Sequence, residues 1–85
     1  MARLELYVAW NIYDENGEIL EIGDLVRASY GGCIVEGIVT ELYCMIDEEA
    51  AYIEIEPTEE VDSEVAEFLD EVRCIDEYDR IEKIK

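Results

Sequence analysis

The 85 residues include 24 acidic and 6 basic side chains, giving a net charge of −18, and this field excludes direct DNA or RNA binding and association with anionic membranes. A chain of this length builds one domain with a single small core, and 51% hydrophobic residues are too many for a disordered acidic tail. No apolar run approaches the roughly 20 residues that span a bilayer, so we expect a soluble protein of the cytosol.

Residues 3–13 alternate apolar and polar side chains, and this pattern predicts one long first strand. Trp10 is predicted to be an anchor of the core on the apolar face of that strand. Residues 14–17 end in Asn-Gly, which is typical of a tight turn, and return the chain into a second strand over residues 18–22. The Asp-x-Asn spacing of this turn faintly resembles a calcium loop, but the other ligand positions are missing and a hairpin turn is favoured.

Residues 18–56 as a whole predict an antiparallel β-meander, because β-branched and aromatic residues alternate with charges between regularly spaced turns. The predicted strands are residues 24–30, the long Cys33–Met45 after a Gly-Gly turn, and residues 50–56. In the last of these strands the alternation predicts a core face formed by Ala51, Ile53 and Ile55. The opposite, acidic face is formed by Tyr52, Glu54 and Glu56.

The long strand contains Glu36 and Glu41, which cannot both face solvent on a strictly alternating strand. A bend or bulge at Gly37, which would switch the inward set from Val35 to Ile38, resolves this conflict. The stretches GDLV (23–26), GCIVEGIV (32–39) and AYIEI (51–55) resemble the SH3-like small barrels of the KOW and Tudor type. The resemblance implies a five-stranded barrel that binds a partner and has no catalytic role.

The C-terminal third predicts one helix. The adjacent carboxylates of residues 47–49 could hold a divalent cation, but a solvated turn is the favoured interpretation. Pro57 ends the sheet, and Thr58 is a candidate N-cap for a helix over residues 59–72. Its apolar stripe, which we expect to pack on the sheet, is Val61, Val65, Phe68, Leu69 and Val72. A turn over residues 76–79 and a short strand over residues 80–84 complete the chain.

The predicted fold class is therefore α+β and mainly β: an antiparallel five- to six-stranded SH3-like barrel or curled sheet with one amphipathic helix. The three cysteines, Cys33, Cys44 and Cys74, have no CxxC spacing, and with no histidine in the chain neither a disulfide framework nor a zinc site is expected. The sequence also lacks a phosphate-binding loop, a nucleophile motif and paired catalytic carboxylates. We expect no enzymatic activity, no cofactor and no metal.

A second stripe on the predicted helix is purely acidic. Its members, spaced at i, i+4, i+7 and i+11, are Glu60, Glu64, Glu67 and Glu71. Like charges at these spacings repel, and the absence of lysine among them indicates that the negative surface itself has a function. A plain solvated helix face is an equal alternative. Four of the six basic residues lie at the end of the chain and are predicted to neutralise part of the acidic field across the sheet, with contact to a partner as the alternative: Arg73, Arg80, Lys83 and Lys85.

In size and charge the chain resembles the phage-encoded acidic DNA mimics. This resemblance implies an inhibitor that occupies the basic nucleic-acid groove of a host nuclease, CRISPR effector, restriction or repair protein. The helix stripe is the expected interface, followed by an acidic sheet face around Glu5, Glu54 and Glu56. One alternative is an SH3-like reader of a basic peptide or modified residue, with an aromatic groove drawn from Tyr7, Tyr13, Tyr30, Tyr43 and Tyr52. Another is an acidic accessory subunit whose charge only keeps it soluble.

Overall fold

The computed structural model describes residues 2–5 and 11–84, apart from the side chains of Glu5 and Ile46. Trp10, Tyr7 and Lys85 lie outside the described residues, so the predictions for them are untested. The described strands are β1 (Arg3–Glu5), β2 (Asn11–Tyr13), β3 (Leu25–Tyr30), β4 (Cys33–Met45), β5 (Ala50–Pro57) and β6 (Arg80–Lys83). Helix α1 (Ser63–Glu71) and two 3-10 turns, Ile46–Glu48 and Ile75–Glu77, complete the described elements.

The predicted single strand over residues 3–13 is wrong. β1 and β2 pair with each other antiparallel, with Leu4 opposite Ile12, so the chain reverses direction between Glu5 and Asn11. Directly opposite residues of an antiparallel pair share one face, and here they differ by an even number of positions. An alternating pattern is therefore the same for one long strand and for this pair. The predicted strand over residues 18–22 is also wrong, since it contributes only a single bridge between Tyr13 and Ile19.

The larger sheet has four antiparallel strands in the order β5-β4-β3-β6. Gly31 and Gly32 form the β3–β4 hairpin turn with φ of 57° and 88°, a conformation that glycine adopts without strain. The mainly β, antiparallel class with one helix is thus confirmed. No pairing among residues 2–5 and 11–84 joins the outer strands β5 and β6, so this sheet is open.

The predicted parity switch of β4 exists, but at Thr40 and not at Gly37. Val39 pairs with Ile55 and Glu41 with Glu54, so Thr40 is the extra residue of a bulge. Val35, Gly37 and Val39 consequently all face the core, while Glu36 and Glu41 both face solvent. Gly37 is small for a different reason, namely its contact with the backbone of β5.

The helix begins later than predicted, at Ser63, because Asp62 is its N-cap. The Asp62 carboxylate accepts a hydrogen bond from the Val65 amide at 3.0 Å, and Asp62 itself is extended. Thr58, the predicted cap, donates its amide to the Glu36 carbonyl at 3.1 Å and so fastens the end of β5 to β4. Both residues are good N-caps by type, and the long-range contact of Thr58 decides between them. Glu60 consequently lies before the helix.

The core joins α1 and the four-stranded sheet to the β2 region, where Ile12 and Leu20 are buried. Val65, Phe68 and Val72 are buried, Val61 and Leu69 are partly buried, and the predicted apolar stripe is confirmed. The predicted core face of β5 is confirmed as well, since Ala51, Ile53 and Ile55 are all buried. The three cysteines are half-buried and free.

One buried carboxylate ties the turn after β2 to the last strand. Asp14 is 1% exposed, and its Oδ1 accepts hydrogen bonds from the amides of Asn16 at 2.9 Å and Glu18 at 2.8 Å. Its Oδ2 accepts a hydrogen bond from the amide of Lys83 in β6 at 2.8 Å. The residues that faintly resembled a calcium loop thus form a turn whose carboxylate binds three backbone amides.

Candidate functional site

The helix and the loop before it form the most acidic part of the described chain. Residues 59–71 include seven acidic and no basic residues: Glu59, Glu60, Asp62, Glu64, Glu67, Asp70 and Glu71. Among the contacts of the described residues, only the carboxylate of Asp62 takes part in the fold, as the helix cap. The other six are exposed, and nothing in the described chain forms an ion pair or hydrogen bond with their carboxylates. Within the part of the chain that the structure describes, their charge is therefore directed to solvent.

Three of these carboxylates line a cleft between α1 and the β3–β4 hairpin. The cleft has a volume of about 200 Å³, and its lining residues are Tyr30, Gly31, Cys33, Glu64, Glu67, Phe68 and Glu71. Glu64, Glu67 and Glu71 follow the i, i+3, i+7 spacing of one helix face, with steps of about 4.5 and 6 Å along the axis. The structure thus brings together three of the four predicted stripe residues and leaves Glu60 outside.

The floor of this cleft is aromatic. The Tyr30 ring stacks on Phe68 with a centroid separation of 5.5 Å and an interplanar angle of 30°. Phe68 in turn meets Tyr78 edge-to-face at 6.4 Å. Phe68 and Tyr78 are buried, whereas Tyr30 is 37% exposed, so the ring series leads from the core to the cleft and ends in one accessible ring.

Two residues after α1 hold the cleft's walls in place. The Tyr78 hydroxyl donates a hydrogen bond to the Val72 carbonyl at 2.9 Å, directly after the last residue of the helix. The Asp79 carboxylate accepts a hydrogen bond from the Gly31 amide at 2.8 Å, which fixes the hairpin turn. Neither the roles of Tyr78 and Asp79 nor the cleft itself could be predicted from the sequence. The contact between Asp79 and Gly31 spans 48 positions, and no local sequence pattern predicts it.

Burial raises the pKa of Tyr78 to about 12, above its ordinary value of 10, and the neighbouring Glu77 charge adds to this shift. The fold therefore favours the neutral phenol, so its stabilisation is complete below about pH 10 and is lost as the pH rises toward 12. We expect the free energy of unfolding to fall by up to about 2 kcal/mol over that range, beyond the effect of the other tyrosines.

Tyr78→Phe isolates this contribution. At neutral pH the variant should lose about 1 kcal/mol, because the Val72 carbonyl loses its donor, yet its stability should fall less steeply in alkali. Urea unfolding followed by circular dichroism at about pH 8, 10 and 11.5 measures both effects. If the free energy of unfolding falls equally steeply with pH in both proteins, Tyr78 is not buried in its neutral form.

The remaining predicted site residues lie elsewhere. Glu60 is exposed in the loop before α1. Glu54 lies on the opposite flank of α1, where Arg73 approaches it at 3.4 Å, and Glu56 is exposed near the end of β5. The Glu5 backbone belongs to the β1–β2 sheet, and its side chain is outside the described part. The predicted acidic sheet face is thus not one surface with the helix stripe.

The described cations that pair with carboxylates do so away from the cleft. Arg73 pairs with Glu54, Arg80 with Glu82, and Lys83 with Asp24 at 3.3 Å, which confirms the predicted neutralising role of these three. Arg27 pairs with Glu36 at 2.8 Å. None of these four ion pairs includes a carboxylate of the cleft, so its field remains uncompensated by them.

The tyrosines form separate contacts and no common groove. Tyr43 and Tyr52 stack at 5.0 Å on the outer face of β4 and β5, and a hydrogen bond to Glu48 raises the pKa of Tyr52. The Arg3 guanidinium lies over the Tyr13 ring at 4.1 Å. Of the four described tyrosines proposed for an aromatic groove, only Tyr30 therefore lines the acidic cleft.

Among known proteins, no family model, no curated protein and no solved structure matches this chain. The resemblances to SH3-like barrels and to acidic DNA mimics stay predictions. In the part of the chain that the structure describes, no helix is long and apolar enough to cross a membrane, and no three His, Cys, Asp or Glu side chains are grouped to hold a metal ion.

Proposed function

We propose that this protein is a non-enzymatic acidic inhibitor that occupies the basic nucleic-acid groove of a nucleic-acid-binding protein. The observation that carries the proposal is the row of Glu64, Glu67 and Glu71, three exposed carboxylates on a helix segment without a single basic residue. We also propose that the protein is encoded by a phage and acts in the cytosol of the bacterial host. Its sheet is proposed to be SH3-like, since such small sheets commonly serve binding.

The charge distribution supports a binding role over plain solubility. Solubility requires net charge of any arrangement, and interspersed lysines would remove the repulsion between glutamates one turn apart. Here the described ion pairs are spread over the sheet and the helix keeps none. Fixed anions on a rigid helix suit the Arg and Lys side chains that line nucleic-acid grooves, because those side chains recognise the phosphate charge irrespective of sequence.

The test uses two variants with the same net charge. Glu64, Glu67 and Glu71 are changed to Lys in one, and the exposed Glu41, Asp47 and Glu49 of the β4–β5 region are changed to Lys in the other. Each protein is added to a panel of purified bacterial nucleases, CRISPR effectors, restriction and repair proteins bound to fluorescent DNA. Displacement of DNA is followed by anisotropy at about 50 and 300 mM salt.

We expect wild-type protein to displace DNA from at least one member of the panel, more weakly at the higher salt concentration. The helix variant should lose about 100-fold or more in affinity, and the β4–β5 variant should lose far less. Equal losses would show that net charge alone drives binding. Failure of wild-type protein to displace DNA from any panel member would overturn the proposal and favour a peptide reader or an accessory subunit.

A further inference from the structure

We propose that the cleft between α1 and the β3–β4 hairpin receives one arginine side chain of a protein partner. The inference depends on the proposed function in one respect, because it names the partner chemistry that the acidic surface recognises. It goes beyond the function in assigning a discrete pocket to a discrete side chain, where mimicry alone requires only a negative surface.

The first argument is the chemistry of the floor. Tyr30 is 37% exposed and lines the cleft, and Phe68 supports its ring from the core side at 5.5 Å. A guanidinium stacks on such a ring through cation–π and planar contact, and it is less strongly hydrated than an ammonium. The aromatic floor therefore favours arginine over lysine.

The second argument is charge complementarity. Glu64, Glu67 and Glu71 line the helix wall of the cleft beside this floor, and no described side chain pairs with them. A guanidinium presents five N–H donors in a planar fork and can bind carboxylates in pairs while its plane stays on the ring. An apolar occupant would leave three carboxylates partly desolvated without a partner, which disfavours it.

The third argument is size. A cleft of about 200 Å³ accommodates one long side chain. It is too small for a helix, whose diameter with side chains is about 10–12 Å. The Asp79 carboxylate accepts a hydrogen bond from the β3–β4 turn and the Tyr78 hydroxyl donates one at the helix end, so the pocket is formed before a partner arrives. A preformed pocket reduces the ordering cost of binding.

The experiment compares two short peptides of equal charge, one alternating Gly and Arg and the other alternating Gly and Lys. Each is titrated into wild-type protein, Tyr30→Leu and the matched control Tyr43→Leu, with amide NMR shifts as the readout. Tyr43 suits the comparison because it is 36% exposed and is stacked on another ring. Both variants keep the net charge, so bulk attraction is constant.

We expect wild-type protein to bind the arginine peptide more tightly, with shifts centred on Tyr30, Glu64 and Glu67. Tyr30→Leu should weaken arginine binding about 5-fold and change lysine binding little, whereas Tyr43→Leu should alter neither. Tyr30→Phe, which keeps the ring, should bind as wild type. Equal affinities for the two peptides, together with equal behaviour of the two leucine variants, would overturn the arginine pocket.

A second pair of variants covers the case in which Tyr30→Leu fails to fold. The double variant Glu64→Gln/Glu67→Gln leaves the core unchanged and should lower the affinity for the arginine peptide. The control Glu41→Gln/Glu49→Gln should not lower it. Equal affinities of the two double variants would overturn the pocket. If the protein displaces no DNA but binds arginine through Tyr30, the DNA-mimic function is contradicted and the arginine pocket is supported. If DNA displacement is unchanged in Tyr30→Leu, the DNA-mimic function is supported and the arginine pocket is contradicted.

Discussion

Replacing Gly37 with valine is expected to cost about 3 kcal/mol or more, enough to depopulate the folded state of a small, marginally stable domain. A Cβ atom at Gly37 would lie 2.5 Å from the Glu56 carbonyl oxygen and 2.5 Å from Cγ2 of Ile55. The first of these atoms belongs to the backbone of β5, so no side-chain rotation removes the overlap. The β4–β5 pairing itself must move apart, and it carries part of the core.

Gly17→Ala is the control for this prediction. A Cβ atom at Gly17 meets nothing within 4 Å, but the backbone there has φ of +80°, which alanine adopts only with strain of about 1–2 kcal/mol. Gly37 does not have a positive φ, so its cost is entirely spatial. Urea midpoints of the two variants separate the two causes. If Gly37→Val proves no less stable than Gly17→Ala, the close approach of β4 and β5 is absent.

Gly37 also shows how far the sequence argument reaches. The parity conflict between Glu36 and Glu41 predicted an irregularity in the strand, and the irregularity exists. The pattern could not locate it, because any residue between the two glutamates restores the parity. Glycine drew attention as a common bulge residue, while the true bulge residue, Thr40, is unremarkable in sequence. Gly37 is instead required by packing against β5.

Elements with strong local signals were predicted well. The Gly-Gly turn between β3 and β4, the bounds of β4 and the buried face of β5 all follow from alternation and turn chemistry within a few residues. Elements decided by distant contacts were not. The preference for Asp62 over Thr58 as helix cap and the cleft itself depend on residues far apart in sequence. The pairing of β1 with β2 is local, but alternation does not distinguish it from one long strand.

The candidate site was predicted in part for the same reason. Helical spacing is local, so the acidic face of Glu64, Glu67 and Glu71 could be read from the sequence. The prediction that Glu60 belongs to this face is wrong, because the helix begins only at Ser63. Tyr30 was one of five tyrosines named for an aromatic groove, and only the position of the β3–β4 hairpin beside α1 distinguishes it from the others.

Replacing Asp14 with alanine is expected to cost about 3 kcal/mol, although the change lowers the net negative charge and should on that ground stabilise the fold. The carboxylate is 1% exposed and accepts three backbone hydrogen bonds of 2.8 to 2.9 Å. Two of them close the turn after β2, and the third joins that turn to Lys83 of β6, which is 69 positions away. Alanine leaves these amides without their acceptor.

Asp14→Asn separates the local bonds from the distant one. Its amide oxygen can still accept from Asn16 and Glu18, but its NH₂ group would face the Lys83 amide donor to donor, so we expect a loss of about 1–2 kcal/mol. Hydrogen exchange should accelerate at the Lys83 amide and change little at Glu18. Asp62→Ala, which removes a purely local helix cap, is the matched control and should cost about 1 kcal/mol. An Asp14→Ala variant no less stable than Asp62→Ala would mean that the turn and β6 are not joined through this carboxylate.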